Sequence, residues 1–417
     1  MVERALLVAV HEQAQDADEA ASLLAELESL VGTLGIPVVE RMTVKVPKFH
    51  PRLVVGSGKA QEIRELLRAR EIDVLIFDNE LSPAQQRNWE AFSKVCVIDR
   101  QEVIIDIFAQ RAHTREARLQ VDLARMEYSL PRLKRAWTHL DRQAGGIGAR
   151  GEGERQIETD RRLVRRRIDK LKAEIAHVRA NRATQRKRRE RIPIPRAAIV
   201  GYTNAGKSSL LRRMTEAEVL VEDKLFATLD TTTRRIMLPS GQKLLLTDTV
   251  GFVRNLPHDL VDAFKATLEE ATLADFLVHV VDASHPDAVT LHDTTIRVLD
   301  DLEAERGNIL TVFNKIDSVP ERSTLAVLRS QFPDAAFISA QTGAGIETLI
   351  GKMADRIADR VAELDLVVPH SRHDVIAMLH RDGRVVDQVY EEDAVHLRAV
   401  APPRLAAQLA GFRNGSR

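Results

Sequence analysis

The chain has 417 residues, and its 61 lysine and arginine residues are balanced by 61 aspartate and glutamate residues, which excludes a uniformly basic or acidic protein. Its length predicts roughly two to four domains, and its single cysteine, Cys96, excludes an intramolecular disulfide framework and a multi-thiolate metal site. Because no apolar run approaches the roughly 20 residues of a membrane-spanning helix and no secretory signal opens the chain, we expect a cytoplasmic protein without a membrane span.

Residues 1–110 alternate short apolar runs with helical patterns. Strands are predicted at Ala5–Val10, Val38–Val46, Asp73–Phe77 and Val95–Ile98, and helices at Ala17–Leu34, Ala60–Arg70 and Pro83–Phe92. This alternation predicts a small N-terminal parallel α/β domain. Since Cys96 falls in the last strand, we expect it to pack in the core. The run Gly56-Ser57-Gly58-Lys59 resembles half of a phosphate-binding loop, but it lacks the first glycine and favours a helix cap or an RNA contact.

Residues 111–191 carry two helical patterns that flank a glycine-rich run. Apolar residues recur three or four positions apart in each, at Leu119, Leu123, Met126, Leu130, Leu133 and Trp137 and then at Val164, Ile168, Leu171, Ile175 and Val178. Each series forms a narrow apolar seam on a helix, and Pro131 is expected to kink the first helix. Because the glycines between residues 145 and 153 disfavour regular helix, we predict two antiparallel helices with a glycine-rich tip.

The same residues hold an excess of positive charge. They contain 24 lysine and arginine residues against 11 aspartate and glutamate residues, a net charge of +13, so the rest of the chain sums to −13. Such segregation favours a surface that faces a polyanion. RNA fits better than DNA, because no DNA-reading motif is visible and a glycine-rich loop suits irregular RNA shapes. A solvated helix face is the alternative interpretation.

Residues 192–363 contain a phosphate-binding loop in its expected context. The run Gly201-Tyr202-Thr203-Asn204-Ala205-Gly206-Lys207-Ser208 fits the pattern G-x-x-x-x-G-K-[ST], follows an apolar strand and opens a helix. Its backbone N–H groups and the N-terminus of that helix favour bound phosphate. We expect Lys207 to reach the β- and γ-phosphates and the Ser208 hydroxyl to ligate Mg²⁺.

Three further signals, each at the end of a predicted strand, indicate that the nucleotide is GTP. They are Asp248-Thr249-Val250-Gly251, Asn314-Lys315-Ile316-Asp317 and Ser339-Ala340-Gln341. Asp248 lies where a carboxylate holds Mg²⁺ through water, and the Gly251 N–H can reach the γ-phosphate. The Asp317 carboxylate can accept both N1–H and N2–H₂ of guanine, a donor pair that adenine lacks, and the segment at Ser339 would close over guanine O6. Ligands bind beyond this carboxyl edge in a doubly wound sheet.

Together these motifs resemble the HflX family of translation-factor-class GTPases. The resemblance rests on the phosphate-binding loop, the run Phe226-Ala227-Thr228-Leu229-Asp230, the three later motifs, and residues 146–154 with 160–162 in the basic segment. It covers residues 1–363 and implies an N-terminal α/β domain, a helical linker and a Ras-like G domain that binds GTP or GDP with Mg²⁺. Members of the family bind the large ribosomal subunit and are associated with splitting or rescuing stalled ribosomes, with GTP hydrolysis resetting the factor.

The resemblance also implies a threonine in the first switch. Thr228, Thr231, Thr232 and Thr233 all lie in the right interval, and spacing alone does not separate them. In similar GTPases the threonine of F-A-T-L ligates Mg²⁺, which points to Thr228. The expected catalytic residues are Lys207, Thr228 and Gly251, the expected Mg²⁺ ligands are Ser208, Thr228 and Asp248, and the remaining residues of these motifs are expected to bind the nucleotide.

One departure from the pattern of Ras-like GTPases bears on the expected rate of GTP hydrolysis. Phe252 follows Gly251, where a water-orienting glutamine often stands. Because phenylalanine can neither orient nor deprotonate water, we predict slow intrinsic hydrolysis that the ribosome accelerates.

Arg234 and Arg235 fit an intramolecular arginine finger, an RNA contact or a surface ion pair.

At the tip of the basic segment we expect contacts with ribosomal RNA, since glycine lets an RNA backbone approach closely. The candidates are Arg142, Gly146, Gly148, Arg150, Gly151 and Arg155. Two alternatives to a ribosome-binding GTPase remain. One is a non-catalytic adaptor that binds GTP only to gate a protein partner through a coiled coil, and the other is a P-loop ATPase or RNA remodeller.

Residues 364–417 are predicted to form a small α+β C-terminal domain, and we expect the protein to act as a monomer.

Overall fold

The computed structural model describes residues 4–12, 17–135, 150–189, 194–215, 226, 231–239, 242–254, 274–301, 308–358, 362–391, 393–401 and 403–414. These residues form two compact units. The first contains the described residues up to Arg179 together with Phe226 and Arg254, and the second contains the remainder. Among the helices in these ranges, none is long and apolar enough to cross a membrane.

The first unit opens with a four-stranded parallel sheet in the order β2-β1-β3-β4. Its strands are β1 (Ala5–Glu12), β2 (Val38–Val46), β3 (Val74–Phe77) and β4 (Cys96–Asp99), and its helices are α1 (Ala17–Thr33), α2 (Ser57–Ala69), α3 (Pro83–Ser93) and α4 (Arg100–Arg111). The predicted parallel α/β fold is confirmed, although the sequence did not predict α4. The prediction of a core cysteine was wrong: Cys96 is exposed, because it is the first residue of an edge strand.

Arginine–carboxylate ion pairs lie in the interior of this unit. Arg100 Nη1 lies 2.6 Å from Asp78 Oδ1, and Arg100 Nη2 lies 2.6 Å from Glu26 Oε1. Arg254 Nε lies 2.9 Å from the other oxygen of Glu26. Burial raises the pKa of Asp78, and the neighbouring Arg100 opposes that rise. Asp78 and Glu26 therefore each have a cationic partner, which offsets the cost of removing their charge from water.

The two predicted helices of the basic segment pack together through residues of the first unit. α5 (Arg115–Ser129) and α6 (Arg150–Arg189) share an apolar seam. The buried residues of that seam are Leu119, Leu123, Ile168, Leu171 and Ile175. α5 ends at Ser129 and a 3₁₀ helix (Leu130–Arg135) follows it. This end agrees with the expected effect of Pro131, which cannot continue an α-helix.

The glycine-rich tip differs from the prediction where the structure describes it. α6 begins at Arg150, so Gly151 and Gly153 are helical rather than irregular. A glycine costs a helix up to about 1 kcal/mol relative to alanine, and a helix of 40 residues tolerates that cost. Gly145 to Ala149 lie outside the described residues.

The second unit contains a six-stranded sheet in the order β10-β9-β8-β5-β7-β6, parallel except that β6 is antiparallel to β7. Its strands are β5 (Arg196–Gly201), β6 (Thr232–Met237), β7 (Lys243–Asp248), β8 (Phe276–Asp282), β9 (Ile309–Asn314) and β10 (Ala336–Phe337). Its helices are α7 (Lys207–Thr215), α8 (Ala288–Asp301), α9 (Arg322–Gln331) and α10 (Ile346–Ala358). The carboxyl ends of β5, β7, β8 and β9 therefore meet at one edge, as the prediction of a doubly wound sheet required.

A small α+β fold follows, as predicted. β11 (Ala362–Pro369), β12 (Arg384–Tyr390) and β13 (Ala394–Ala401) form an antiparallel sheet in the order β11-β13-β12. Its helices are α11 (His373–Asp382) and α12 (Pro403–Gln408), and apolar residues of both pack on the sheet. β11 spans the predicted boundary between residues 363 and 364, and the four-domain division remains a prediction.

Candidate nucleotide-binding site

The phosphate-binding loop joins β5 to α7, and its two glycines have no room for a side chain. Gly201 has a φ of +144°, and a Cβ there would lie 2.1 Å from the Val280 carbonyl oxygen. Gly206 has a φ of +90°, and a Cβ there would lie 2.2 Å from Asn314 Nδ2. Positive φ and close approach together require glycine at both positions. The loop therefore runs tightly into the N-terminus of α7, where phosphate binds favourably.

Lys207 is buried at the base of this loop. Its ammonium donates to the Gly201 carbonyl at 3.1 Å and to the Tyr202 carbonyl at 2.8 Å. Burial lowers the pKa of Lys207 to about 8, and the Asp248 carboxylate partly opposes that shift. The cation is thus held within the loop by neutral carbonyl groups, which the oxygens of a bound phosphate can replace.

Ser208 and Asp248 form a pair of oxygen donors beside Lys207. The Ser208 hydroxyl donates to Asp248 Oδ2 at 2.7 Å, and the Asp248 side chain is buried. A hydroxyl and a carboxylate at this separation are hard oxygen ligands, the type that Mg²⁺ prefers. The two residues therefore fit the predicted metal. Thr228, the third predicted ligand, lies outside the described residues.

The segment after β7 lies directly against the phosphate-binding loop. The Thr203 N–H donates to the Phe252 carbonyl at 2.8 Å, and the Phe252 N–H donates to the Gly201 carbonyl at 3.1 Å. A Cβ at Gly251 would lie 2.7 Å from Thr203 Cγ2 and 2.8 Å from Lys207 Nζ. The Phe252 side chain is only 4% exposed, so it packs in the interior and cannot orient a water molecule.

Asn314 connects the loop to the predicted guanine-binding segments. Its Nδ2 donates to the Ala205 carbonyl at 2.8 Å, and its Oδ1 accepts from the Ala340 N–H at 2.9 Å. Asn314 is buried at the end of β9. A single amide side chain thus brings together three motifs that are more than 20 residues apart in the sequence.

Asp317 is exposed and is held in its ionised form. Its pKa is lowered, first by a hydrogen bond from the Ser339 side chain and then by smaller contributions that include Ser318 and Lys315. Ser339 is buried, and its oxygen also accepts from the Thr342 N–H at 3.0 Å. An ionised carboxylate held in this way has the acceptors that the two donors of guanine require, and the guanine contact of Asp317 stays a prediction.

The structure adds Asp282 to this group, which the sequence analysis missed. Lys315 has a left-handed backbone with a φ of +61°, and its ammonium lies 2.8 Å from Asp282 Oδ2. The other oxygen of Asp282 accepts from the backbone and the hydroxyl of Ser284. The available signal was position, because Asp282 is the last residue of β8 and ends at the same sheet edge.

The other predicted site residues lie in different places. Thr249 is buried and donates its hydroxyl to the Ile199 carbonyl at 2.7 Å, so its side chain faces the sheet. Phe226 lies in the first unit, with its ring 4.5 Å from that of Phe108. Arg234 and Arg235 are exposed on β6, the edge strand. Arg142, Gly146, Gly148, Ala227, Leu229 and Asp230 lie outside the described residues, as do the side chains of Arg150 and Arg155.

Three family models match successive parts of the chain. A GTP-binding GTPase N-terminal model matches residues 21–109, and a GTP-binding GTPase middle-region model matches residues 111–189. A model described as a 50S ribosome-binding GTPase matches residues 196–315. The last match contains the phosphate-binding loop, Asp248 to Gly251, and Asn314.

Full-length relatives extend the similarity over nearly the whole chain. GTPase HflX of Akkermansia muciniphila is 50% identical over 424 residues, which cover 99% of this chain and 97% of the relative. GTPase HflX of Escherichia coli is 42% identical over 395 residues, which cover 94% and 89%. Among solved structures, a GTP-binding protein from Sulfolobus solfataricus in complex with GDP is 24% identical, with a TM-score of 0.46, and the match covers 86% of this chain and 99% of that one.

Proposed function

The chain belongs to the HflX family of GTPases, and we propose that it hydrolyses GTP on the large ribosomal subunit, where it splits or rescues stalled ribosomes. Hydrolysis then resets the factor. The match of residues 196–315 to a 50S ribosome-binding GTPase supports the ribosome as partner. The proposal is carried by the convergence of phosphate-binding, metal-binding and guanine-binding groups at one edge of the second unit's sheet.

At the phosphate end, Lys207 exchanges its two carbonyl partners for β- and γ-phosphate oxygens of GTP. The ammonium stays hydrogen-bonded throughout, so the exchange requires little reorganisation of the loop. Ser208, Asp248 and Thr228 would hold Mg²⁺, which would offset the phosphate charge. Gly251 donates its backbone N–H to the γ-phosphate, and its missing side chain leaves the space that Lys207 and Thr203 need.

Hydrolysis by the isolated protein is slow, because the buried Phe252 supplies neither a base nor a hydrogen bond to water. A partner that completes such a site can accelerate hydrolysis by ~10³–10⁵. We therefore expect large ribosomal subunits to raise kcat by a factor in that range. Equal GTP turnover by the purified protein with and without large subunits would contradict this proposal.

At the base end, Asp317 selects guanine over adenine through the N1–H and N2–H₂ groups. Replacing Asp317 by asparagine removes the charge and one acceptor, so we expect GDP affinity to fall by about a hundredfold. Asp334→Asn, which makes the same change at an exposed position of the same unit, is the control. If ATP competes with GTP for the unaltered protein at similar concentrations, the ATPase alternative replaces this assignment.

The basic helices contact ribosomal RNA. Ile168, Leu171 and Ile175 of α6 are buried in the seam with α5, and the face that α6 leaves to solvent is rich in arginine and lysine. Its exposed cations include Arg162, Arg165, Arg166, Arg167 and Lys170. This arrangement favours an RNA surface over a coiled-coil interface with another protein, since the seam is already used within the chain. At the tip, the proposed RNA contacts are Arg142, Gly146, Gly148, Arg150, Gly151 and Arg155.

Salt distinguishes these two modes of binding. RNA binding weakens steeply as salt rises, because each neutralised phosphate releases counterions, whereas an apolar interface does not. We expect Arg166→Glu to weaken binding to large subunits and to flatten the salt dependence. Arg322→Glu makes the same change in charge on the exposed start of α9 and should leave both unchanged. Binding that is insensitive to salt would support the adaptor alternative.

Sedimentation with ribosomes tests the proposed cycle directly. The protein, which we expect to act as a cytoplasmic monomer, is mixed with intact ribosomes under GTP, GDP and a non-hydrolysable GTP analogue. Separation of the subunits with the analogue, and none with GDP, is the expected result, since binding of the triphosphate form drives the step. Intact ribosomes under all three nucleotides would refute the splitting role.

A further inference from the structure

The far end of α7 holds the guanine-binding loop through Arg213, a residue outside every nucleotide motif. Arg213 lies in the last turn of α7, whose first turn carries Lys207 and Ser208. Its Nε donates to the Ala340 carbonyl at 3.0 Å, and its Nη2 donates to the Gln341 carbonyl. The planar guanidinium presents adjacent donors in a fixed fork, which suits two successive carbonyl groups.

These bonds complete the support of one peptide segment. The Ala340 N–H donates to Asn314 Oδ1 at 2.9 Å, so the residue is held by Asn314 through its N–H and by Arg213 through its carbonyl. The turn that follows is closed by the Gly343 N–H, which donates to the Ser339 carbonyl at 2.8 Å. A Cβ at Gly343 would lie 3.8 Å from Arg213 Cζ, so the guanidinium also packs beside this turn.

The same segment supports the guanine acceptor. The Ser339 hydroxyl is the largest cause of the lowered pKa of Asp317, and Ser339 directly precedes the residue that Arg213 holds. A shift of this segment would therefore move the Ser339 hydroxyl away from the Asp317 carboxylate. The consequence would be a loss of base reading rather than a loss of phosphate binding.

We propose that Arg213 is a positioning residue for guanine recognition, which sets the preference for guanine and the residence time of the nucleotide by fixing residues 339–341 to α7. It acts through the carbonyl groups of Ala340 and Gln341 rather than on the base. The N-terminus of α7 lies at the phosphate end of the site, so Arg213 couples the base end of the site to its phosphate end. This inference rests on the proposed assignment of Asp317 and residues 339–341 to guanine binding.

The test compares Arg213→Ala, Arg213→Lys and Arg212→Ala in the full chain. Arg212 is the matched control, because it is exposed on the same turn and is not among the donors to residues 339–343 within the described part of the chain. Release of a fluorescent GDP analogue is followed by stopped flow, and GDP and IDP are compared as competitors. IDP lacks the N2 amino group, so the ratio of the two affinities reports how well Asp317 reads the base.

We expect Arg213→Ala to release the GDP analogue about tenfold faster, the effect of losing a charge-assisted hydrogen bond. The preference for GDP over IDP should fall at the same time. Arg213→Lys, which presents a point charge to one carbonyl, should be intermediate and keeps the test valid if the alanine variant is poorly folded. Arg212→Ala should match the unaltered protein in both measurements.

Two results would overturn the inference. One is an unaltered release rate in both Arg213 variants, and the other is faster release with an unaltered preference for GDP over IDP, which would mean that Arg213 only stabilises the fold. Failure of the underlying site assignment is distinguishable, because in that case the unaltered protein would itself show no preference for GDP over IDP.

Discussion

His279 makes the stability of the second unit depend on pH. It lies in the middle of β8, is fully buried, and has no hydrogen-bond partner for either ring nitrogen within the described parts of the chain. Its ring stacks on that of His292 at 5.0 Å. Burial lowers the pKa of His279 to about 3, with smaller contributions from the charges of His292 and Lys207. The imidazole is therefore neutral in the folded protein.

The sign of the effect follows from this lowered pKa. In the unfolded chain the imidazole takes up a proton near its ordinary pKa of 6.5, whereas in the folded chain it does so only near 3. The contribution of His279 to stability is therefore complete above pH 6.5 and is lost progressively as the pH falls toward 3. Proton linkage for this single group predicts a loss of about 2 kcal/mol in the free energy of unfolding between pH 7.5 and pH 5.

Amide hydrogen exchange in β8 measures this loss, because the chain has two compact units and a single global free energy is poorly defined. Opening free energies at pH 7.5 and pH 5 are compared for the unaltered protein and His279→Leu, each saturated with GDP. The leucine variant removes the titrating group, so it should lose about 2 kcal/mol less than the unaltered protein over this range. His373→Leu changes an exposed histidine of the same unit and is the control. An equal loss in His279→Leu and the unaltered protein would refute the reasoning.

Three further predictions concern the nucleotide site and the paired helices. Because the pKa of Lys207 is about 8, GDP binding at pH 8.5 should take up protons, which calorimetry in buffers of different ionisation heat would detect; zero uptake would contradict this. In Gly251→Ala the new Cβ would lie 2.8 Å from Lys207 Nζ. Because we assign the Gly251 N–H to the γ-phosphate, which GDP lacks, the affinity for GTP should fall at least about tenfold more than the affinity for GDP in competition titrations. Leu171 is fully buried in the α5–α6 seam, so Leu171→Ala should lower the opening free energy of α6 by about 2–4 kcal/mol in hydrogen exchange, whereas the exposed Leu163→Ala should change it little.

The sequence largely predicted that the motifs of the candidate nucleotide site lie together, because each motif is local and follows a parallel strand. Gly206, Asp248 and Asn314 each belong to a short motif, and the sheet order brings the three together without further information. A parallel sheet collects whatever follows its strands at one edge, so strand prediction and motif spacing were enough. The same reasoning failed for Arg213 and Asp282, whose partners depend on which side chains face each other after folding.

Two errors in the first unit have a similar physical origin. The segment that forms α4 has an almost unbroken apolar run from Val103 to Phe108, and its burial on several sides removes the one-sided pattern by which a helix is detected. Cys96 lies in a strand whose other three residues are buried, yet it is exposed at the start of the edge strand. Local periodicity does not show how many faces of a helix other elements cover. It also does not show whether a strand lies at the edge or in the middle of its sheet.

The contacts within the candidate site limit where a nucleotide-dependent switch can act. Asn314 and Arg213 hold residues 339–341, and Lys207 is held in the loop by carbonyl groups. GDP and GTP would share these contacts. Contacts that both nucleotides make equally cannot favour one conformation of the protein with GTP and another with GDP. The difference between the two nucleotides must therefore come from contacts to the γ-phosphate, which we assign to Gly251 and Thr228. On this reasoning, we expect variants at the base end to change how long a nucleotide stays bound. Variants at Gly251 should instead change whether the bound nucleotide alters the affinity of the protein for the ribosome.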